Sequence, residues 1–445
     1  MEIDRGSSDA VQLSRREREV ADLVVEGLKN REIGGRLFIS ERTVDGHLER
    51  IREKLGVGNR AQVAAWVVAH RQPAAPAAPR PRAALAPRRA ALLGAAMVVV
   101  LATAAWSALI AGSSPLIETF AGNGTPAGSF TGAYAGDHQP AVFAKLNHPD
   151  SVATYHGSVY IADRGNYVVR RVGPDGVITT VAGGGTLYPR SGVNATSSNL
   201  LEIANIALAG DGTLYVTTFA AKVFAVGPDH ALREIAPPSP KPQLWTPIGL
   251  AADPLTGDLY LTSMLGHSVW RLSNGALSRF AGTGTAGFAG DGLAAISAQF
   301  TEPTGLAFDR AGNLFVADTG NNRVSRIDRA TGIITTIAGS DSIYGYSGDG
   351  GPGTRARLAL PMGLAVDAAG DLFIADTENN RVRRVDRQGV ITTIAGTGTA
   401  GFGGDGGPAI DAHLWGPNAL AVSGADLLVS DSANNRVRRI RAVVA

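Results

Sequence analysis

The chain has 445 residues, a net charge of +2 and no cysteine. This length allows two or three hydrophobic cores. The lack of cysteine excludes disulfide frameworks, thiolate zinc sites, iron–sulfur ligation and cysteine nucleophiles. Residues 1–90 carry 17 Lys and Arg against 12 Asp and Glu, whereas the remainder carries 24 against 27. The basic excess therefore lies in the N-terminal part, where the five arginines of segment 71–89 account for it.

Short helices are predicted in residues 13–70, after a tail at residues 1–12. Ser14-Arg15-Arg16-Glu17 is a capping box that opens the first helix. A second helix is predicted from about Asn30 to Leu37, and a third begins after Ser40 with apolar residues at i, i+4 and i+7. Two short helices joined by a tight turn, the second with an exposed polar face, indicate a helix-turn-helix domain whose recognition helix enters the major groove.

The motifs LSRREREV, NREI, ISERTVDGHLERIREKLGV and NRAQ follow one another in this segment. Together they closely resemble the LuxR/GerE-type helix-turn-helix. The resemblance implies double-stranded DNA as a partner and a homodimer when bound, with a fourth helix from Asn59 to about Ala69 as the dimerisation surface. The dimerisation residues would be Val63, Trp66 and Val67, although Trp66 fits a core position equally well. The DNA-contacting positions that the resemblance implies are Lys29, Asn30, Arg31, Ser40, Arg42, Thr43, Val44, Asp45, Gly46, His47, Glu49 and Arg50.

The recognition helix departs from the family pattern at its base-facing positions, Asp45, Gly46 and Glu49. Related domains usually have lysine or another polar donor where Asp45 and Glu49 stand. Carboxylates repel phosphates, although they can accept a hydrogen bond from cytosine N4. We therefore expect DNA binding that is weak or that needs dimerisation and the basic linker. His47 is interpreted as a packed or phosphate-contacting residue.

Residues 71–89 form a Pro/Ala/Arg-rich linker, which cannot bury a core. Residues 90–112 follow, with no charged side chain over 23 positions. As a helix this segment would span roughly 34 Å, enough for a hydrocarbon core of about 30 Å. A buried globular helix and a cleaved signal peptide are the alternatives. A soluble helix normally has a polar face, and a signal peptide has a shorter apolar run, so a single transmembrane helix is predicted.

Arginines lie only on the N-terminal flank of that segment, at positions such as Arg88 and Arg89. The excess of positive charge predicts a cytoplasmic N-terminus and an extracytoplasmic C-terminal part. The expected localisation is the cell membrane, with a single pass.

Residues 113–445 contain an internal repeat. The phrases VYIAD, LYVTT, LYLTS, LFVAD, LFIAD and LLVSD start 55, 45, 55, 58 and 55 residues apart. Each unit reads as four short strands separated by Gly, Asn and Asp turns, which indicates a six-bladed β-propeller. The last unit lacks its fourth strand, and residues 116–122 supply one before the first unit, so this N-terminal strand is expected to close the ring. The repeated phrase GxLFxADxxNNRVxRI is similar to NHL repeats, which implies a propeller used for binding.

Two sets of aspartates recur with the blades and are expected to share one rim of the propeller. Such a ring of carboxylates could hold a cation or a basic or hydroxyl-rich ligand. The alternative is that each Asp caps its own turn. The histidines show no paired spacing and no metal or cofactor is predicted, although a propeller can bring distant histidines to its axis. The two sets are Asp137, Asp291, Asp349 and Asp405 in the loops between blades, and Asp163, Asp318, Asp376 and Asp431 after the second strands.

The arginines of the third strands, such as Arg383, are predicted to pair with neighbouring aspartates such as Asp376 instead of forming a basic patch. The order of parts predicts a multidomain protein with an all-α helix-turn-helix domain, a single transmembrane helix and an all-β six-bladed propeller. Its predicted function is that of a membrane-anchored transcription regulator, not an enzyme, whose propeller senses an extracytoplasmic ligand or wall component. Two alternatives stay open: a propeller lyase or hydrolase with its own regulatory DNA-binding module, and an adhesion or scaffold propeller.

Overall fold

The computed structural model describes residues 13, 15–25, 28–37, 41–55, 57, 60–69, 114–124, 134–235, 245–340 and 343–444. The chain divides into two compact units, Met1–Ala96 and Met97–Ala445. The predicted tail, linker and transmembrane segment lie outside the described residues. None of the helices in the ranges above is both long enough and apolar enough to cross a membrane.

The first unit contains four helices in its described part. They are α1 Arg15–Val25, α2 Asn30–Leu37, α3 Glu41–Leu55 and α4 Arg60–Ala69. Apolar residues recur every three or four positions along α1 and α3, so each helix turns one face inward. Val20 of α1, Ile33 of α2, Ile51 of α3 and Val63 of α4 are fully buried in one core. The unit therefore has a hydrophobic core of its own.

The second unit is built from antiparallel strands that form six sheets. In chain order the strands are β1 Ile117–Ala121, β2 Gln139–Pro140, β3 Pro149–Tyr155, β4 Ser158–Asp163, β5 Val168–Val172, β6 Val177–Gly183, β7 Ile203–Leu208, β8 Leu214–Thr218, β9 Val223–Val226, β10 Leu232–Glu234, β11 Pro247–Ala252, β12 Leu259–Ser263, β13 Ser268–Ser273, β14 Ala276–Ala281, β15 Pro303–Phe308, β16 Leu314–Asp318, β17 Arg323–Ile327, β18 Ile334–Ala338, β19 Pro361–Val366, β20 Leu372–Asp376, β21 Arg381–Val385, β22 Ile391–Ala395, β23 Pro417–Ser423, β24 Asp426–Asp431 and β25 Arg436–Ile440. Blades 1 to 5 begin at β3, β7, β11, β15 and β19, and each has four consecutive strands. In blade 1 the short strand β2 pairs with β6 and adds a fifth strand at the outer edge.

The ring of blades is closed by pairing between the two ends of the unit. Blade 6 contains β23, β24 and β25, and its fourth, outermost strand is β1. Ile117 pairs with Ile440 and Thr119 pairs with Arg438. The innermost strands β3, β7, β11, β15, β19 and β23 contact one another in a closed ring. The backbone groups of β25 are thereby paired within the ring and do not form an open sheet edge.

The innermost strands approach one another so closely that several positions have no room for a side chain. A Cβ atom on Gly363 of β19 would lie 2.5 Å from the carbonyl oxygen of Asn418 and 2.6 Å from the Cα of Ala419, both on β23. Gly305 of β15 has the same relation to the backbone of Met362. These glycines set the separation of neighbouring blades at the axis.

We predict that Gly363→Ala lowers the free energy of unfolding by about 2 kcal/mol or more, because the added methyl group meets backbone atoms that cannot rotate away. Gly210 is the matched control, because a Cβ there meets nothing within 4 Å. Gly210→Ala should change stability by less than about 0.5 kcal/mol. Urea denaturation of both variants measures the difference, and equal midpoints would contradict this account of the inner ring.

Candidate functional site

The predicted DNA-contacting residues occupy two kinds of position in the helical unit. Lys29, Arg31, Asp45 and Glu49 are exposed, and the last two lie one helical turn apart on the same face of α3. A Cβ on Gly46 would meet nothing within 4 Å, so the α3 surface beside Asp45 is open. Among the described residues, the exposed parts of the predicted set are Lys29, Arg31, Arg50 and this α3 face.

Other members of the set hold the helices together. The amide nitrogen of Asn30 donates to Asp45 at 2.5 Å, and the guanidinium of Arg60 donates to the side-chain oxygen of Asn30. Val44 is fully buried in the core, so its side chain packs inside the domain and not against a ligand. His47 Nδ1 lies 3.1 Å from Arg50 Nη2. Ser40 and the side chains of Arg42 and Thr43 lie outside what the structure describes.

The proposed dimerisation residues differ in exposure. Val63 is fully buried in the core of its own domain. Trp66 and Val67 are half-buried and pack against the edge of the same core. Of the three, Trp66 and Val67 have surface left for a second copy.

In the propeller, the aspartates after the second strands are buried at the centre of a repeated turn. Asp376 accepts a hydrogen bond from the backbone N–H of Ala359 at 2.7 Å and from Asn379 Nδ2 at 2.8 Å. Arg383 Nη1 lies 3.2 Å from the same carboxylate. The equivalents Asp163, Asp318 and Asp431 are also fully buried and accept from a backbone N–H and an Asn in the same way. These carboxylates join their own turn to the incoming loop and are not exposed to a ligand.

The second Asn of each Asp-x-x-Asn-Asn turn joins one blade to the next. Asn380 of blade 5 has φ +50°, a left-handed conformation that Asn adopts more readily than most residues. Its side-chain oxygen accepts from the backbone N–H of Gly416, which leads into blade 6. Asn322 and Asn435 do the same for Leu360 and His148. The turn therefore fixes both its own blade and the entry of its neighbour.

The loop aspartates are partly exposed, and three of them contact buried arginines. Arg383 is fully buried between Asp376 and the loop residue Asp349, with Nη2 at 2.7 Å from Asp349. Arg438 likewise bridges Asp431 and Asp405, and Arg170 bridges Asp163 and Asp137. Asp291 instead accepts from the backbone and hydroxyl of Thr336. The predicted pairing of third-strand arginines with aspartates is thus present at Arg170, Arg383 and Arg438.

Blade 4 has no arginine at the third-strand position that pairs with the turn aspartate in blades 1, 5 and 6, but an arginine two residues earlier makes the same contact. Ser325 occupies the register of Arg383, and Arg323, two residues earlier, donates through Nε to Asp318 at 2.8 Å. Its guanidinium also lies 3.9 Å from the ring centroid of Phe288. The buried carboxylate therefore keeps an arginine partner although the sequence position has moved.

Burial raises the pKa of Asp163, Asp376 and Asp431 and outweighs the hydrogen bonds from backbone, Asn and Arg groups that lower it, so each pKa lies at about 6. These carboxyl groups are thus mainly ionised at neutral pH, as their arginine partners require. At the loop residue Asp349 burial also raises the pKa, but hydrogen bonds from Thr393, Tyr346 and Arg383 outweigh burial and lower it overall. All four turn aspartates and three of the four loop aspartates, Asp137, Asp349 and Asp405, are therefore paired with arginines inside the fold.

A cavity lies along the propeller axis. It has a volume of about 280 Å³ and is lined by the innermost strands of all six blades. Most of its lining is aliphatic or glycine, and the polar exceptions Ser151, Thr154 and Asn205 belong to blades 1 and 2. Ser151 Oγ donates to Asn205 Oδ1 at 2.8 Å. This axial channel is slightly smaller than typical small-molecule pockets of roughly 300–1,000 Å³, and its polar side chains lie on one side only.

A charged cluster that the sequence did not predict lies where blades 1 and 2 meet. Arg164 is 7% exposed and donates to Asp150 at 2.8 Å and to Glu202. Its guanidinium lies 4.4 Å from the ring centroid of Phe219. The signal was present in the repeat, because blades 4 to 6 have Thr or Ser directly after the turn aspartate where blade 1 has Arg164.

Comparison with known proteins characterises each part of the chain. Residues 11–67 match the family described as bacterial regulatory proteins, luxR family. Residues 185–347 and 344–402 match the Teneurin NHL domain. Residues 11–67 thus form a LuxR/GerE-type helix-turn-helix domain, and the second unit is a six-bladed β-propeller with NHL homology.

The chain is also similar in sequence to parts of larger proteins, and it shares its fold with solved structures. The chain is 25% identical over 210 residues to Protein SUPPRESSOR OF QUENCHING 1, chloroplastic, of Arabidopsis thaliana, covering 45% of this chain and 20% of that protein. It is 25% identical over 289 residues to Teneurin-1 of Mus musculus, covering 61% and 9%. An auxiliary nutrient binding protein from Bacteroides thetaiotaomicron shares the fold, with a TM-score of 0.55, 18% identity and coverage of 73% and 76%.

We predict that Asp376→Ala lowers the free energy of unfolding by about 3–5 kcal/mol, because it leaves the guanidinium of Arg383 buried with less charge compensation. Asp291→Ala is the matched control, since in the described part of the chain Asp291 contacts a threonine and no arginine. It should cost about 1 kcal/mol. Chemical denaturation distinguishes the two, and a cost for Asp376→Ala no larger than that of Asp291→Ala would refute the structural role of the buried carboxylate.

Proposed function

We propose that this chain is a membrane-anchored transcription regulator that binds DNA through its helix-turn-helix domain and senses a ligand through its propeller. The observation that carries the proposal is the LuxR-type domain, whose α3 presents Asp45 and Glu49 to solvent while Val44, Leu48 and Ile51 form the core. An exposed polar face on the second helix of such a pair is what enters the major groove. The partner is double-stranded DNA.

The order of parts supports the membrane anchor and the sensor role. A stretch of 23 residues without charge separates the DNA-binding domain from the propeller, and arginines flank it on the N-terminal side. This pattern is typical of a helix that crosses the membrane with its N-terminus in the cytoplasm. The propeller would then meet an extracytoplasmic ligand or wall component.

Signal transfer would act through dimerisation. Trp66 and Val67 of α4 retain surface for a second copy, and a dimer doubles the number of base and phosphate contacts on a two-fold operator. The carboxylates Asp45 and Glu49 reduce the attraction of one domain for DNA, so the monomer should hold its site poorly. Ligand binding that clusters propellers would pair two DNA-binding domains.

The test is a mobility-shift assay with residues 1–72 fused to a dimeric coiled coil, since this segment includes the complete hydrophobic core of the helical unit. We expect a sequence-preferring shift that weakens as salt rises, and a weaker shift for the unfused segment. Arg31→Ala should reduce the slope of log K against log salt by about 0.9 for each phosphate that Arg31 neutralises.

Arg18→Ala is the charge-matched control, because Arg18 is exposed on α1 outside the predicted DNA-contacting set. It should leave the salt slope near that of the unmodified fusion. Absence of any sequence-preferring, salt-dependent shift by the forced dimer would overturn the regulator proposal.

A further inference from the structure

At the junctions between blades 4, 5 and 6, a threonine hydroxyl joins each blade to the next. Thr319, directly after the turn aspartate of blade 4, donates through its hydroxyl to the carbonyl oxygen of Pro361 in blade 5 at 2.7 Å. Thr377 of blade 5 donates to Pro417 of blade 6 at 2.8 Å. Each of these two junctions therefore uses one hydrogen bond between neutral groups.

The junction between blades 1 and 2 uses charged groups instead. Arg164 occupies the position of Thr319 and Thr377, and it bonds Asp150 of its own blade and Glu202 at the entry to blade 2. Asp150 is 8% exposed and also accepts from Ser432 of blade 6 at 2.5 Å. Three neighbouring blades therefore meet at one charged cluster, formed by Asp150, Arg164 and Glu202.

This substitution has an energetic cost that the fold does not require. Burying a guanidinium and a carboxylate removes both from water, and a buried ion pair often contributes no more stability than a neutral contact of similar size. The threonine junctions at Thr319 and Thr377 show that the same architecture is stable without it. A costly departure from the repeat, placed beside a cavity, indicates a function other than stability.

Two residues of the cluster adjoin strands that line the axial channel. Asp150 directly precedes Ser151 on β3, and Glu202 directly precedes β7, which carries Asn205; both Ser151 and Asn205 line the channel. The polar side of the channel and the charged cluster thus belong to the same two blades. Together they define an asymmetric site, the blade 1–2 mouth, formed by the charged cluster with Phe219, Ser151 and Asn205.

The net charge of the blade 1–2 mouth indicates which ligands it would favour. Two carboxylates face one guanidinium, which leaves a net negative charge. Burial lowers the pKa of His148, which neighbours Asp150, so this imidazole does not supply a compensating charge at neutral pH. The Nε and Nη2 groups of Arg164 both bond the Oε1 atom of Glu202, and Oε2 has no hydrogen-bond partner among the described residues.

Two groups of the mouth are accessible to a ligand. The side chain of Glu202 is 37% exposed, and Phe219 is 43% exposed. A carboxylate oxygen beside an aromatic ring is a combination that binds an organic cation, through a charge-assisted hydrogen bond and a cation–π contact. The channel volume of about 280 Å³ limits the ligand to a small molecule.

We propose that the blade 1–2 mouth binds a small ligand carrying a protonated amine, such as an amino sugar, with Glu202 accepting a hydrogen bond from the amine and Phe219 contacting the cation. This inference rests on the proposed ligand-binding role of the propeller. The turn aspartates are buried, so the proposed ligand site is an asymmetric one where blades 1 and 2 meet, beside strands that line the axial channel.

The test is calorimetric titration of the purified full chain at pH 7 with glucosamine and, as a matched probe without the positive charge, N-acetylglucosamine. We expect glucosamine to bind at least about tenfold more tightly. Glu202→Gln keeps the shape of the side chain and removes its charge, and it should weaken glucosamine binding by at least about tenfold. Its circular dichroism spectrum should match that of the unmodified chain.

Asp411→Asn is the control for net charge, because Asp411 is exposed at the outer edge of blade 6. It should leave glucosamine binding unchanged. Equal binding of the two sugars, no binding of either, or undiminished binding by Glu202→Gln would each overturn the proposal. A DNA shift measured on the same preparations reports separately on the regulator, so loss of one activity is distinguishable from loss of the other.

Discussion

A buried carboxylate at the end of the second strand is the interaction on which four of the six blades depend. In four blades this group accepts hydrogen bonds from a backbone N–H of the incoming loop and from an Asn of its own turn, and it contacts a buried arginine. The following Asn then binds the entry of the next blade. Loop, turn, third strand and neighbouring blade are therefore ordered by one charged group. Because that group is satisfied on every side, the repeat is rigid around the axis, where glycines such as Gly363 allow the inner strands to approach.

The regularity of the repeat also indicates which residues are available to bind a ligand. The polar side chains that recur in the repeat make hydrogen bonds and ion pairs that hold the blades together. We therefore expect ligand-binding groups at positions where the sequence departs from the repeat. Arg164 is such a departure, since it brings charge into a junction that a threonine hydroxyl holds elsewhere. Blade 4 departs differently, because Arg323 restores the contact to Asp318 that Ser325 cannot make. The first departure adds an asymmetric group beside the channel, whereas the second only preserves the fold.

Much of the architecture could be predicted from the sequence because it is encoded in local periodicity. The helix Asn30–Leu37 and the repeating strand phrases follow from the spacing of apolar residues. The role of the turn aspartates could not be predicted, because an Asp that binds a loop within the fold and an Asp that faces a ligand have the same sequence pattern. Burial alone decides between them. Val44 shows the same limit, since a position on the recognition helix can point to the core or to DNA depending on the packing of α1.

The central claim is that the DNA-binding domain and the propeller work on opposite sides of a membrane. Because the chain has no cysteine, single cysteines introduced at exposed positions report their location without background. Intact cells that express Arg18→Cys or Asp411→Cys can be treated with a membrane-impermeant maleimide, before and after lysis. The account predicts labelling of Asp411→Cys in intact cells and of Arg18→Cys only after lysis. Protection of Asp411→Cys until lysis would contradict it.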